Sequence, residues 1–280
     1  MNRILILGAS GFIGNALYKE LLPYFDAYGT YCTQDGLFRD NQVFFPYKME
    51  ENGIGDILRT LQPNTIISCI KGPTAAKIKL HQLLVEYAIA TASRIIYVSS
   101  QKVFDAQDQF PAYEYDAPKS ISEVGKEHIA LERVLAALPS DQRLIIRLPE
   151  VLGVNAPKIL QLVQAAKHQA HFELFPNVII SATTVDKMAQ QVHYLINKDK
   201  TGVYHLSSGD LVHHEDLYRE LCHKLCKKPP IFTIVYGSNN DCYQAILPRH
   251  QMMPKNYRIS IQEVIANCTL NESIETLKKK

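Results

Sequence analysis

Residues 4–14 read Ile4-Leu5-Ile6-Leu7-Gly8-Ala9-Ser10-Gly11-Phe12-Ile13-Gly14, and the fold turns on how this stretch is read. An apolar run of strand length gives way to three glycines at every third position, and a helical-period segment over 13–22 follows. The glycines of such a loop serve mechanical ends, giving a tight turn, close approach of backbone to a pyrophosphate, and close packing of helix on strand. The helix behind the loop offers unpaired N–H groups and the positive end of its dipole to an anion. Strand, glycine loop and helix in that order make Gly8, Ser10, Gly11, Phe12, Ile13 and Gly14 the candidate cofactor-binding residues, with NAD or NADP as the expected cofactor.

Outward from this loop the first half of the chain alternates. Strands are predicted at 4–7, 27–31, 43–45, 65–69, 95–99 and 144–147, and helices at 13–22, 54–61, 77–90 and 123–138. Short β-branched runs separated by helical segments signal a parallel sheet with crossover helices. After Pro149 the texture changes, with helices at 158–168, 187–197 and 215–224, a mixed segment at 172–180, a strand at 203–206, a β-rich run at 231–236, and a last helix ending at Lys280. The expected fold class is α/β: a Rossmann-type doubly wound parallel sheet with a smaller mixed C-terminal substrate lobe. Residues 1–150 form the first part, rejoined by 181–207; residues 151–180 and 208–280 form the lobe.

Bulk properties exclude several classes. The chain has 280 residues, 46% hydrophobic and 21% charged, with a formal charge of +2. That is globular composition without the basic stripe of a nucleic-acid partner, and Lys278-Lys279-Lys280 reads as a solvated terminus. No apolar stretch approaches the ~18 residues of a membrane span, and the first apolar run is too short for a signal-peptide core. The cysteines at 32, 69, 222, 226, 242 and 268 are scattered. Reduced thiols in a cytoplasm are the simpler expectation.

Further stretches carry a family resemblance. Tyr97-Val98-Ser99-Ser100 with Val103-Phe104-Asp105, then Pro111-Ala112-Tyr113-Glu114-Tyr115-Asp116 with Pro118, Arg147 through Gly153, Thr184-Val185-Asp186, and Gly202 through Ser207 follow the glycine loop in order. The series resembles the extended short-chain dehydrogenase/reductases, in particular the dTDP-4-dehydrorhamnose reductase group of sugar-nucleotide-binding proteins. The resemblance implies hydride transfer between a nicotinamide and a nucleotide-linked sugar. It places Ser100 where the family's Ser or Thr polarises the substrate carbonyl. Separately, Gln101, Lys102, Arg147, Thr184 and the stretch from Arg249 to Lys255 are expected to face the crevice, where cations would hold an anionic substrate.

The same alignment exposes a departure. The family's "Y-G-x-[ST]-K-x-x-x-E" falls on Val124-Gly125-Lys126-Glu127-His128-Ile129-Ala130-Leu131-Glu132, with Gly125 and Glu132 fixing the register. The general-acid Tyr is Val124, and the Lys that steadies it and binds ribose is His128. Val has no transferable proton, and a positioned acid supplies roughly 10²–10⁴ in rate. Tyr113, Tyr115, a bound water or a shifted Ser122/Lys126 pair are the substitute donors to consider. Cys32 stands where relatives commonly carry an Arg for a 2′-phosphate. Asp35 is a candidate for ribose hydroxyls or simply a turn residue before Gly36. Lys71, in Ile70-Lys71-Gly72, either reaches a phosphate or obstructs the cofactor.

Other constellations offer less. Cys222 and Cys226 are one helical turn apart with His213, His214 and His223 nearby, yet Leu217, Leu221 and Leu225 share the helix, so packing thiols are expected and no metal site. A Ser100–His128–Glu132 hydrolase relay lacks a nucleophile elbow. Two functional classes remain open. One is a catalytically degenerate NAD(P)-binding protein that holds a nucleotide-sugar-like ligand and acts as a homodimer or with a regulatory partner protein, a role the family takes in the regulatory subunit of methionine adenosyltransferase. The other is an active reductase or epimerase with a substitute acid.

Overall fold

The computed structural model describes residues 2–33, 35–38, 41–51, 53–249 and 253–269. The first half runs β1 (Arg3–Leu7), α1 (Phe12–Leu21), β2 (Asp26–Tyr31), α2 (Asp35–Phe38), β3 (Phe44–Pro46), α3 (Ile54–Leu61), β4 (Thr65–Ser68), α4 (Thr74–Thr91), β5 (Arg94–Ser100), α5 (Glu123–Leu135) and β6 (Arg143–Leu148). The second half runs β7 (Glu150–Leu152), α6 (Pro157–His168), β8 (His171–Leu174), β9 (Val178–Ile180), β10 (Ala182–Thr184), α7 (Val185–Asn197), β11 (Gly202–His205), β12 (Val212–His213), α8 (His214–Leu225), β13 (Ile231–Ile234), β14 (Cys242–Gln244) and α9 (Ile261–Thr269). The expected continuation of the last helix to Lys280 falls outside the described residues.

Among the described residues, seven parallel strands make the central sheet in the order β11-β6-β5-β4-β1-β2-β3. The chain winds outward from β1 to β3, returns to the other side of β1 at β4, and winds outward again. This is the Rossmann order with one added strand. Ile4, Leu5, Ile6 and Leu7 are fully buried, because a parallel sheet with helices on both faces hides both sides of each central strand. Helices α1 and α7 cover one face through Leu17, Leu21, Met188, Val192 and Leu195. Helices α3, α4 and α5 cover the other through Ile54, Leu58, Leu84, Leu131 and Leu135. Pro46, which has no N–H to give a ladder, ends the edge strand β3.

A second core gathers Leu162 of α6, Phe172 of β8, Tyr218 and Leu221 of α8, and Val264 of α9. Short strands hold this lobe: β8 pairs with β13, β9 with β12 and β14, and β10 with β7. Phe12, in the first turn of α1, packs against both cores and links glycine loop to lobe.

Candidate active site

The chain reverses its winding between β1 and β4, and the carboxyl ends of these strands open into a cleft. Thr30 of β2 accepts from the Gly8 backbone N–H at 3.0 Å, and Gly11 N–H returns to the Gly8 carbonyl at 3.0 Å. Gly8 has φ +82°, a left-handed value that glycine adopts without penalty. The other two glycines differ in kind. A Cβ on Gly14 would stand 2.2 Å from the Gly8 carbonyl oxygen, so Gly14 lets α1 seat against the loop. A Cβ on Gly11 would meet Gly8 O at 3.3 Å, and the rest of its surroundings are open. Gly11 is also the N-cap of α1 and puts no side chain over the first-turn N–H groups. The whole segment from Gly8 to Gly14 except Ala9 lines the cleft, with Thr30, Tyr31, Cys32, Tyr47, Cys69, Ile70, Lys71 and Pro157. The side chain of Asp35 lies outside the described residues.

Ile13, Cys69, Ile70 and Lys71 also line a second cavity, which continues past the end of β5. Its wall includes Lys77, Tyr97, Ser100, Val124, Glu127 and His128. Ser100, at the carboxyl end of β5, accepts from the Lys102 backbone N–H at 3.3 Å. Val124 is 48% exposed in the first turn of α5. Ser122 caps that helix by accepting from Gly125 N–H at 3.1 Å and is itself bonded to Asp105. A Cβ on Gly125 would stand 2.1 Å from Lys102 O, which explains why glycine marks the register here.

Helix α5 reads strand β5 through two hydrogen bonds. Tyr97 Oη lies 2.6 Å from His128 Nδ1, and Ser99 Oγ donates to Glu132 Oε1 at 2.6 Å. Four helical residues advance about 6 Å and two strand residues about 6.6 Å, so the two spacings match. Burial, with the nearby Glu132 and Glu127 carboxylates, raises the Tyr97 phenol far above its ordinary value, so it keeps its proton. Its hydroxyl therefore donates to Nδ1, since the opposite arrangement would leave a buried O–H without an acceptor. The imidazole proton then sits on Nε2. Burial lowers His128 below its usual value; Glu127 opposes that, and Lys77 adds to it. His128 is thus a neutral N–H donor at neutral pH, not a cation.

Several expected site residues lie elsewhere. Arg147 is 3% exposed and is committed to Glu132, with Nε at 3.1 Å from Oε1 and Nη2 at 2.8 Å from Oε2, and it lies over the Phe104 ring at 4.9 Å. Its guanidinium is tied up inside the fold and does not face the cavity. Glu132 therefore faces Ser99 and Arg147 rather than His128, and no Ser100–His128–Glu132 relay exists. Thr184 is buried and caps α7 by accepting from Lys187 N–H at 3.2 Å. Gln101 and Lys102 line a separate small cavity with Tyr243 and Gln244. Arg249 lines another, with Tyr113 and Gln191, and Tyr115 is exposed and stacked on Tyr113. Neither tyrosine lines the cavity beside Ser100, and Lys126 is exposed outside it. Cys222 packs in the second core, where burial first and Cys226 second push its thiol up to about 11.

Sequence reasoning did not single out Lys77 or Glu127. They meet across 50 positions of sequence, and no local period joins them. Tyr97 was visible only as a letter in a motif.

The model of the RmlD substrate binding domain matches residues 74–268, beyond the glycine loop. Methionine adenosyltransferase 2 subunit beta of Danio rerio is 29% identical over 164 residues, 54% of this chain and 48% of that protein. The Bos taurus protein of the same name is 28% identical over 169 residues, 54% and 47% respectively. The chain thus spans about half the length of the curated relatives it matches. Among solved structures, a hypothetical dTDP-4-dehydrorhamnose reductase from Sulfolobus tokodaii superposes with a TM-score of 0.78 at 17% identity, covering 93% of this chain and 98% of that one. At that identity the likeness is one of fold. The family model covers well over half of the 280 residues, from α4 into α9, and the chain belongs to the RmlD substrate binding domain family.

Proposed function

We propose that this protein binds NAD or NADP in the cleft at the glycine loop, and that it serves as a ligand-binding or regulatory member of its family with weak reductive chemistry. The residues present fit a dinucleotide: Gly11 leaves its outer side open, α1 exposes uncapped N–H groups, and Lys71 adds a cation at the rim. Fold neighbours support this, one being WbmH of Bordetella bronchiseptica in complex with NAD+, with a TM-score of 0.79 at 17% identity over 95% of this chain and 97% of that one. When bound, a reduced nicotinamide supplies a hydride. The chain itself must then orient the acceptor and protonate its oxygen.

One observation carries the reading of weak chemistry. The cavity beside Ser100 has an aliphatic Val124 where the family's acid stands and a neutral His128 where its cation stands. Ser100 can orient an oxygen, and His128 can donate a hydrogen bond from Nε2. A neutral imidazole gives up that proton poorly, so the pair binds better than it protonates. The similarity to methionine adenosyltransferase 2 subunit beta, a subunit of an enzyme named for another reaction, supports a role beside a partner protein. The second reading, an active reductase or epimerase of a nucleotide-linked sugar, draws on the same His128 as donor. The lobe formed by 151–180 and 208 onward would close over such a ligand. Fluorescence titration of NADH and NADPH, with and without dTDP-sugars, tests the proposal. Saturable dinucleotide binding with only weak turnover is expected, and failure to bind either cofactor refutes it.

A further inference from the structure

Helix α5 presents two consecutive residues to the cavity beside Ser100. His128 is one; Glu127 is the other. The Glu127 carboxylate pairs through Oε1 with Lys77 Nζ from α4, and accepts from the Thr74 hydroxyl at Oε2. The Lys77 and Glu127 side chains are only 11% and 13% exposed, and both line the cavity. An ion pair so far from water gains little net stability, because desolvation offsets most of its attraction. It does keep unused hydrogen-bonding capacity. The ammonium has three donors, of which Glu127 takes one, and each carboxylate oxygen can accept a second bond. Burial alone would raise the Glu127 carboxyl, but the bonds from Lys77 and Thr74 outweigh it and hold it below the ordinary range. The carboxylate is therefore held as an acceptor beside the Lys77 donor.

That arrangement complements two neighbouring hydroxyls, one donating to the carboxylate and one accepting from the ammonium. An acidic side chain reads ribose hydroxyls in the same way elsewhere in dinucleotide folds. We propose that Lys77 and Glu127 bind the vicinal hydroxyls of the ribose on the nicotinamide half of the cofactor, so that a cation missing from α5 at His128 is supplied from α4. The inference rests on the dinucleotide reading above. Continuity supports it, since Ile13, Cys69, Ile70 and Lys71 line both the glycine-loop cleft and this cavity. A ligand anchored by phosphate on the loop would reach the pair along these shared walls.

The test compares three probes by calorimetry on the full chain: NADH (or NADPH, whichever binds more tightly), ADP-ribose and ADP, the latter two 2′-phosphorylated if NADPH is used. ADP-ribose keeps the distal ribose and ADP lacks it. In the double variant Lys77→Met with Glu127→Met, which replaces the pair by apolar groups of similar length, affinity for the dinucleotide and ADP-ribose should fall by about tenfold or more, with ADP unchanged. Glu127→Gln, which keeps the shape, should show the same pattern at a several-fold size and serves if the double variant does not fold by circular dichroism. Undiminished binding of the dinucleotide and ADP-ribose by a folded variant, or an equal loss for ADP, overturns the ribose site and leaves the loop reading standing. A wild-type chain that binds none of the three probes overturns both.

Discussion

Replacing Val124 by Tyr together with His128 by Lys rebuilds the family's acid and cation, and the structure sets the size of both consequences. Val124 is half-exposed in the first turn of α5, so a larger side chain there should change stability by no more than about 0.5 kcal/mol. His128 is different, because its Nδ1 accepts the hydrogen bond from the buried Tyr97 hydroxyl. Losing that acceptor strands a buried donor at a cost of about 1–3 kcal/mol. The double variant should therefore unfold more easily by about that amount, and adding Tyr97→Phe should restore the loss. In activity the change runs the other way. A positioned acid contributes roughly 10²-fold or more, about 3 kcal/mol of barrier. Reduction by NADH or NADPH should rise by at least that factor, and either single substitution should do much less because the two groups act as a unit. The assay follows cofactor oxidation by its near-ultraviolet absorbance across a panel of 4-keto nucleotide sugars. Brisk turnover by the unmodified protein on any of them would refute the argument and leave the reductase reading with His128 as donor.

Three further outcomes are expected. Gly11→Val should keep the melting temperature near that of the parent and abolish dinucleotide binding, whereas Gly14→Val should fail to fold stably, because its Cβ would meet backbone at 2.2 Å; thermal melts with calorimetric titration separate the two, and equal stability would contradict the roles given to these glycines. Arg147→Met should lower the unfolding free energy by about 3–5 kcal/mol in urea, since it leaves Glu132 charged, buried and without its partner; a loss below about 1 kcal/mol would return Arg147 to the pool of ligand-binding candidates. Burial lowers His81 and His214 to about 4, with the Lys77 charge adding to it at His81 and the Lys158 charge at His214, and burial with Arg147 lowers His205 to about 3. The unfolded chain takes up these protons near its ordinary value of about 6.5 while the folded chain does not, so stability is complete above that pH and is lost as pH falls toward 4, by up to about 3 kcal/mol for a fully buried histidine. Urea midpoints that stay level between pH 7.5 and pH 4.5 would show that these imidazoles are not buried neutral.

The amino-acid order alone determined the parts that depend on near neighbours. Strand β1, the glycine loop and α1 were legible because a continuous apolar run, glycines at every third position and a helical period are all local patterns. The register of α5 was legible for a related reason, since Gly125 is required wherever a helix start packs on backbone. Val124 and His128 are recognisable as replacements only through the family resemblance, on the register that Gly125 and Glu132 fix. Tertiary structure alone decided which charges are free and which are spent. Arg147 reads in the sequence as a ligand-binding cation, yet β6 points it at Glu132 of α5, and the fork between them spends its charge inside the fold. Arg249, Gln101 and Lys102 read as companions, yet the lobe distributes them over separate cavities. The Lys77–Glu127 pair and the Tyr97–His128 bond were invisible for the converse reason. Each joins segments at least 31 positions apart, and their meeting depends on how α4 and α5 pack on the sheet, which no short-range pattern encodes.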